Sequence, residues 1–152
     1  GDVISGGLAQ ADVLGIFGRS GVYLATQWGI SEDDSYTSAA FKLYRDYDGA
    51  RSTFGNTSVS TVSTDPARIS AYGSIQGSDE SILHLVLLNK DSGKTLDFHI
   101  RIESGTSYTA GRAWGFDAND PRLTERLGVT DIAGNAFEYT VPPLTAIHLG
   151  LR

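Results

Sequence analysis

Apolar positions recur with two different periods along this chain, and the change falls near residue 50. Ser5 is placed to cap a helix over about 6–17. Ala9, Val13, Ile16 and Phe17 fall at i, i+4, i+7 and i+8, which predicts one apolar helix face. Gly18 and Gly21 stand as its stop. Val22-Tyr23-Leu24-Ala25-Thr26 is a short apolar run closed by Gln27-Trp28-Gly29. It predicts a strand buried on both faces, as in a parallel sheet. An acidic loop, Glu32-Asp33-Asp34, leads into a second helix over about 36–47, with Ala40, Phe41, Tyr44 and Tyr47 on one side and Gly49 as its end. Helix, buried strand, helix is a slice of an α/β fold. One parallel strand makes no sheet alone, so its partners must come from another segment.

From about Thr57 the period becomes two. Strands are predicted at 59–62, 69–75, 82–89, 96–102, 108–116, 136–141 and 144–151, with turns at Gly77-Ser78-Asp79, Asp91-Ser92-Gly93, Ser104-Gly105 and Gly134-Asn135. Pro142-Pro143 forces a sharp entry into the last strand. Strands of this length, each with one polar face, predict an antiparallel β-sandwich. The expected organisation is therefore two unlike parts, residues 1–56 and 57–152. The first is the last strand-helix piece of a (β/α)8 barrel, the second a sandwich.

Composition narrows the function classes. The chain has 152 residues, a net charge of −6, and neither Cys nor Met. Without Cys there are no disulfides, thiolate nucleophiles or Cys-held zinc. The acidic balance argues against nucleic acid and against anionic membranes as partners. No apolar run reaches the ~18 residues of a membrane span. A chain that opens Gly-Asp-Val-Ile and holds no Met reads as processed, or as a piece of something longer.

Reaction machinery is scarce. There is no phosphate loop, nucleophile elbow or His-Glu-x-x-His helix. His84, His99 and His148 lie on separate strands without metal spacing and read as half-exposed strand residues. Glu32-Asp33-Asp34 reads as a solvated loop, and Asp46 and Asp48 as caps or partners of Arg45 or Arg51. Trp114 sits in an alternating run with Tyr108 and Phe116 and is expected in the sandwich core. Asn56-Thr57-Ser58 fits the N-glycosylation acceptor pattern. Trp28 follows the predicted buried strand directly. In a barrel of alternating strands and helices, that position borders the active site. An indole there stacks on a sugar ring, or it fills the gap between strand and helix; the residues alone leave both readings open.

Residues 4–19, Ile4-Ser5-Gly6-Gly7-Leu8-Ala9-Gln10-Ala11-Asp12-Val13-Leu14-Gly15-Ile16-Phe17-Gly18-Arg19, resemble the segment after the catalytic nucleophile in family 44 glycoside hydrolases. Val22–Gly29 resembles that family's last barrel strand, Phe41–Gly49 its final barrel helix, Ser52–Val59 the crossing into its sandwich, and Val141–Ala146 the closing sandwich strand. The resemblance implies a secreted, retaining endo-β-1,4-glucanase or xyloglucanase, some members also cleaving xylan. Two glutamates do its chemistry, on a barrel with a β-sandwich beside it. It implies that both glutamates lie upstream of this part, so no catalytic residue is carried over to this chain, and no cofactor or metal ligand. Only Trp28 matches a position at the glycan cleft. The partners implied are the β-1,4-glycan, through the intact enzyme, and the missing N-terminal barrel segment. The alternatives are a polysaccharide-binding sandwich and a purely structural one.

Overall fold

The computed structural model describes residues 3–29 and 33–152. Two helices, α1 (Ile4–Arg19) and α2 (Tyr36–Arg45), precede eight strands: β1 (Thr57–Val59), β2 (Ile69–Gln76), β3 (Asp79–Asn89), β4 (Leu96–Arg101), β5 (Gly111–Asp117), β6 (Asp120–Val129), β7 (Ala136–Val141) and β8 (Thr145–Leu151). Six strands form one antiparallel sheet in the order β1-β2-β3-β8-β5-β6, and β4 pairs with β7 in a second, small sheet. The molecule is thus three layers, helices on the six-stranded sheet and the β4–β7 pair beneath it.

The two faces of the large sheet carry separate cores. Leu83, Leu85 and Leu87 of β3 and Ile147, Leu149 and Leu151 of β8 point toward the small sheet, where Phe98, Tyr139 and Val141 meet them. The alternate residues, Val86, Leu88, Ala146 and Phe116, point toward the helices and meet Leu8, Ala11, Ala40, Leu43 and Tyr44. The expectation of one polar face per strand therefore fails at the centre. β3, β8 and β5 are apolar on both sides because the helices cover the face that would otherwise be wet.

The sequence reading also missed β6. Its residues Asp120-Pro121-Arg122-Leu123-Thr124-Glu125-Arg126 read as polar, and it is an edge strand with only one fully buried residue, Val129. A two-residue turn, Ala118-Asn119, joins it to β5. Trp114 is buried as expected, but on the helix side of the sheet, opposite His148 in register, whereas Tyr108 lies in the core between the sheets. β5 begins only at Gly111, so the alternation does not carry through from Tyr108 to Trp114.

α1 starts earlier than Ser5 predicts. Val3 is its cap residue, without a side-chain bond, and its carbonyl accepts from the amides of Gly6 and Gly7. It runs through Gly18 to Arg19, two residues beyond the expected end, and Gly21 supplies the stop. Gly21 takes φ +67°, its amide bonds the Gly18 carbonyl, and the Val22 amide bonds the Phe17 carbonyl, which is a Schellman closure. α2 is capped by Ser35, whose hydroxyl accepts from the Ser38 amide at 3.0 Å.

α1 buries a different face from the predicted one. Gly7, Leu8, Ala11 and Gly15 face inward, while Ala9, Val13 and Ile16 are exposed. Small residues let the helices and sheet approach closely. A Cβ on Gly7 would lie 2.7 Å from Tyr36 Cβ, and one on Gly15 would lie 2.3 Å from the Tyr72 ring. Polar bonds lock the same seam. The Tyr44 hydroxyl donates to the Ala11 carbonyl at 2.9 Å, the Tyr72 hydroxyl donates to Asp12 at 2.5 Å, and Lys90 pairs with Asp12 at 3.2 Å. Burial pushes the Asp12 carboxyl up, but the bonds from Ser70 and Tyr72 and the Lys90 charge outweigh it and hold the group below its ordinary value.

Two glycines of one helix should therefore respond with opposite signs. Gly15→Ala forces α1 off the Tyr72 ring and should cost about 1–3 kcal/mol. Gly6→Ala enters open space in a helix and should add up to ~1 kcal/mol. Urea unfolding of both variants checks this; equal midpoints would contradict the packing described.

Candidate functional site

The sheet uses one side of the helical layer, and the other side is open. After the Schellman turn, residues 21–29 pair with no strand and are exposed throughout. The buried parallel strand expected over Val22–Thr26 is therefore not formed here. The physical reason is the one its type supplies: a parallel strand needs parallel neighbours, and among the described residues every strand pairing is antiparallel.

A groove of about 500 Å³ runs beside this segment. Leu14 and Phe17 of α1, Leu24, Phe41 and Tyr44 of α2's flank, and Tyr72 of β2 contribute to its walls. Around it stand large apolar side chains in water: Tyr23 is 100% and Leu24 75% exposed. The exposed stripe of α1, Val13 and Ile16, belongs to the same apolar surplus. A helix that is apolar all round needs more than one partner surface. The groove's walls are mainly apolar, with Arg19 and Arg45 as the charged side chains among the described lining residues, an arrangement suited to covering an apolar surface.

Trp28 follows the groove-lining stretch in the chain and is 99% exposed, with Gly29 after it at φ +84°. Of the acidic loop, Glu32 lies outside the described residues, while Asp33 and Asp34 are exposed. Among the described residues no group of three or more His, Asp or Glu could hold a metal ion. Asp46 and Asp48 cap backbone rather than pair with arginine side chains. Asp46 accepts from the Arg51 amide at 2.6 Å, and Asp48 accepts from the Ala50 amide at 2.9 Å and the Ser52 hydroxyl at 2.6 Å. The backbone they brace takes φ +72° at Gly49 and +64° at Arg51. Asn56 is exposed, and its side-chain oxygen accepts from the Gly77 amide at 2.7 Å.

The histidines correct the sequence reading most. His99 is exposed and sits 3.0 Å from Glu138. His84 and His148, expected half-exposed and apart, are buried and touch, with Nδ1 of His84 3.0 Å from Nε2 of His148. They are 64 residues apart in sequence. Only the β3–β8 pairing, which sets Val86 opposite His148, brings them together, and no local pattern carries that information. Asn89 is likewise fully buried, donating to the carbonyls of Lys94, Val141 and Pro142, so it ties two turns together.

No family model matches the chain. Individual proteins do. Endoglucanase A of Paenibacillus lautus is 44% identical over 149 residues, which cover 98% of this chain and 21% of that protein. The solved structure of a family 44 endoglucanase from Clostridium thermocellum superposes with a TM-score of 0.95 at 48% identity, over 98% of this chain and 29% of that one. The chain belongs to glycoside hydrolase family 44 and corresponds to a C-terminal part of it. A third relative, a family 44 xyloglucanase of Paenibacillus polymyxa with xyloglucan, matches with a TM-score of 0.93 at 44% identity, over 98% of this chain and 29% of that one. The chain thus spans between a fifth and a third of these relatives' lengths. The family 44 segment folds as an antiparallel, sandwich-type β structure with two helices on it.

Removing the surplus apolar surface should not weaken the fold. Tyr23→Ser combined with Leu24→Ser should lower the binding of a fluorescent apolar dye to the chain. Stability in urea should change by no more than ~0.5 kcal/mol. A large loss of stability would mean that these side chains are packed after all.

Proposed function

We propose that this chain closes and supports the catalytic barrel of a secreted endo-β-1,4-glucanase or xyloglucanase, with xylan as a further substrate. Residues 1–56 supply the last strand-helix units of a (β/α)8 barrel, and residues 57–152 form the β-sandwich that buttresses it. The observation that carries this reading is the unfinished outer side of the helical layer. Leu14 and Phe17 of α1, the apolar groove they line and the unpaired stretch at Val22–Thr26 lie together on it. In the intact protein the upstream barrel segment occupies that side and pairs with residues 22–26. The stretch then ends at Trp28, where a barrel strand opens onto the active-site face. There the indole stacks on a sugar ring of the glycan.

The two glutamates that cleave the glycosidic bond belong to the upstream segment, so residues 1–152 alone bind and position but do not hydrolyse. β-1,4-Glucan polymers do not cross a cell envelope, which is the ground for placing the parent protein outside the cell. A polysaccharide-binding sandwich is the competing class. Its best candidate residues, Tyr108 and Trp114, are 3% and 9% exposed, and the Tyr108 hydroxyl is committed to the Glu80 carbonyl at 2.8 Å. Nothing flat and aromatic is left on residues 57–152 to grip a sugar through those two, which favours support over binding for that part.

The test is a reducing-sugar assay on carboxymethyl cellulose and xyloglucan. Residues 1–152 should release no more sugar than a blank. In the intact protein Trp28→Ala should lower kcat/KM about tenfold, equivalent to ~1.4 kcal/mol, with the melting temperature unchanged. Turnover by 1–152 that survives repurification, or an unaltered kcat/KM in the Trp28 variant, would overturn the reading.

A further inference from the structure

Behind the groove wall formed by Phe54 and Ser74, one group of titratable side chains is built as a unit, and the barrel reading does not use it. His148 of β8 is fully buried on the helix side of the sheet, with His84 of β3 beside it. Nδ1 of His148 lies 2.8 Å from the Leu43 carbonyl oxygen, and Nε2 of His148 lies 3.0 Å from Nδ1 of His84. These contacts fix the protons. A carbonyl only accepts, so Nδ1 of His148 carries the hydrogen, and in the neutral ring Nε2 is a bare acceptor. His84 must then donate from its own Nδ1. The Leu43 carbonyl is one of those left without a helical partner at the end of α2. The relay therefore runs from β3 through β8 to the C-terminal end of a helix.

The segment joining α2 to β1 lies over this pair. Tyr47 stacks on His148 with ring centres 3.7 Å apart, and Phe54 and Trp114 meet the same ring edge-on. Phe54 is fixed at both backbone ends: its amide donates to the Tyr44 carbonyl at 2.9 Å, and its carbonyl accepts from the Ser74 hydroxyl. Residues 46–56 thus form a strap across the two histidines.

We propose that His84 and His148 are an acid-released latch that fastens this strap and the end of α2 to the sheet. A first proton enters at Nε2 of His84, the less buried ring, and leaves its Nδ1–H donating to His148. A proton on Nε2 of His148 sets two N–H donors against each other across 3.0 Å, and the pair parts. The surroundings offer the cation little. From the strap, Tyr47 and Asp48 face the pair; Asp48 is already bonded to Ser52 and to the Ala50 amide. From β5, Arg112 lies over Trp114 and pairs with Glu125 of β6. From β2 there is the Ser74 hydroxyl. The cations of α2 go elsewhere, Lys42 to the Asp33 carbonyl and Arg45 to the groove. Among the described residues no carboxylate hydrogen-bonds to either ring.

Burial accordingly holds His148 down at about 3, against the bond to Leu43, and holds His84 below its ordinary value. The sign follows. The folded-state values lie below the unfolded value of 6.5, so the stabilisation is complete above about pH 6.5 and is lost as pH falls toward 3. The open fraction grows roughly tenfold per pH unit for each proton taken up.

Nitrogen-15 NMR of the full chain tests the latch. At pH 7.5 both rings should show the Nδ1–H tautomer, and His148 should not titrate above pH 5. The Phe54 amide should lose exchange protection progressively as pH falls from 6.5 toward 3 while β3 and β8 amides keep theirs. His148→Asn keeps a donor toward the Leu43 carbonyl but cannot take a proton, so the acid release should be lost; His99→Asn should leave it unmoved. An Nε2–H tautomer on either ring, or release at an unchanged pH in His148→Asn, would overturn the proposal. The tautomer measurement stands even if the variant fails to fold.

Discussion

A strand that is apolar on both faces has to be covered twice, and three adjacent strands of this protein are in that position. β3, β8 and β5 carry leucines, isoleucine and alanine toward the small sheet and valine, leucine, phenylalanine and tryptophan toward the helices. Burial of that much apolar side chain is the main force available to the fold, at about 25 cal/mol per Å². It dictates that the helices lie flat on the sheet, and it consumes the small-residue face of α1, through Gly7, Ala11 and Gly15. The apolar residues on the rest of α1 are what remains once that demand is met. The open groove is thus a consequence of the sheet, not an accident of the loop beside it.

Family membership gives that leftover surface a reading. The relatives are three to five times as long as the matched portion, and this portion keeps their fold to a TM-score of 0.95. Its own core closes without the remainder: the helical seam, the relay through His148 and the Asn89 knot are all internal bonds. A self-supporting sheet with an unfinished helical layer suits the proposed buttress, rigid on the sandwich side and receptive on the open side of the helices. Chemistry would enter from the other side of that boundary.

Local pattern carried the elements whose signals are local. Gly21 as the end of α1, the start of α2, strands β7 and β8 and the turn at Gly134-Asn135 were all readable, because positive φ, capping and strict alternation are written within a few residues. What failed was non-local. The period-3.6 stripe of Ala9, Val13 and Ile16 is real, but periodicity does not say which of two apolar faces a given partner will take. β6 was hidden because an edge strand buries little and so is free to be charged. His84 and His148 were separated because only the register of β3 against β8 makes them neighbours. Trp28 was legible as an unusual residue after an apolar run, and it is found with its indole in water.

The central claim is that residues 22–26 are a strand awaiting neighbours. Amide hydrogen exchange measures that directly, on residues 1–152 alone and on the same segment within the intact protein. The account predicts that Tyr23–Thr26 exchange at unprotected rates in the isolated chain and become protected, like β3 and β8, once the upstream segment is joined. Protection in the isolated chain, or exchange at unprotected rates in the intact protein, would contradict it.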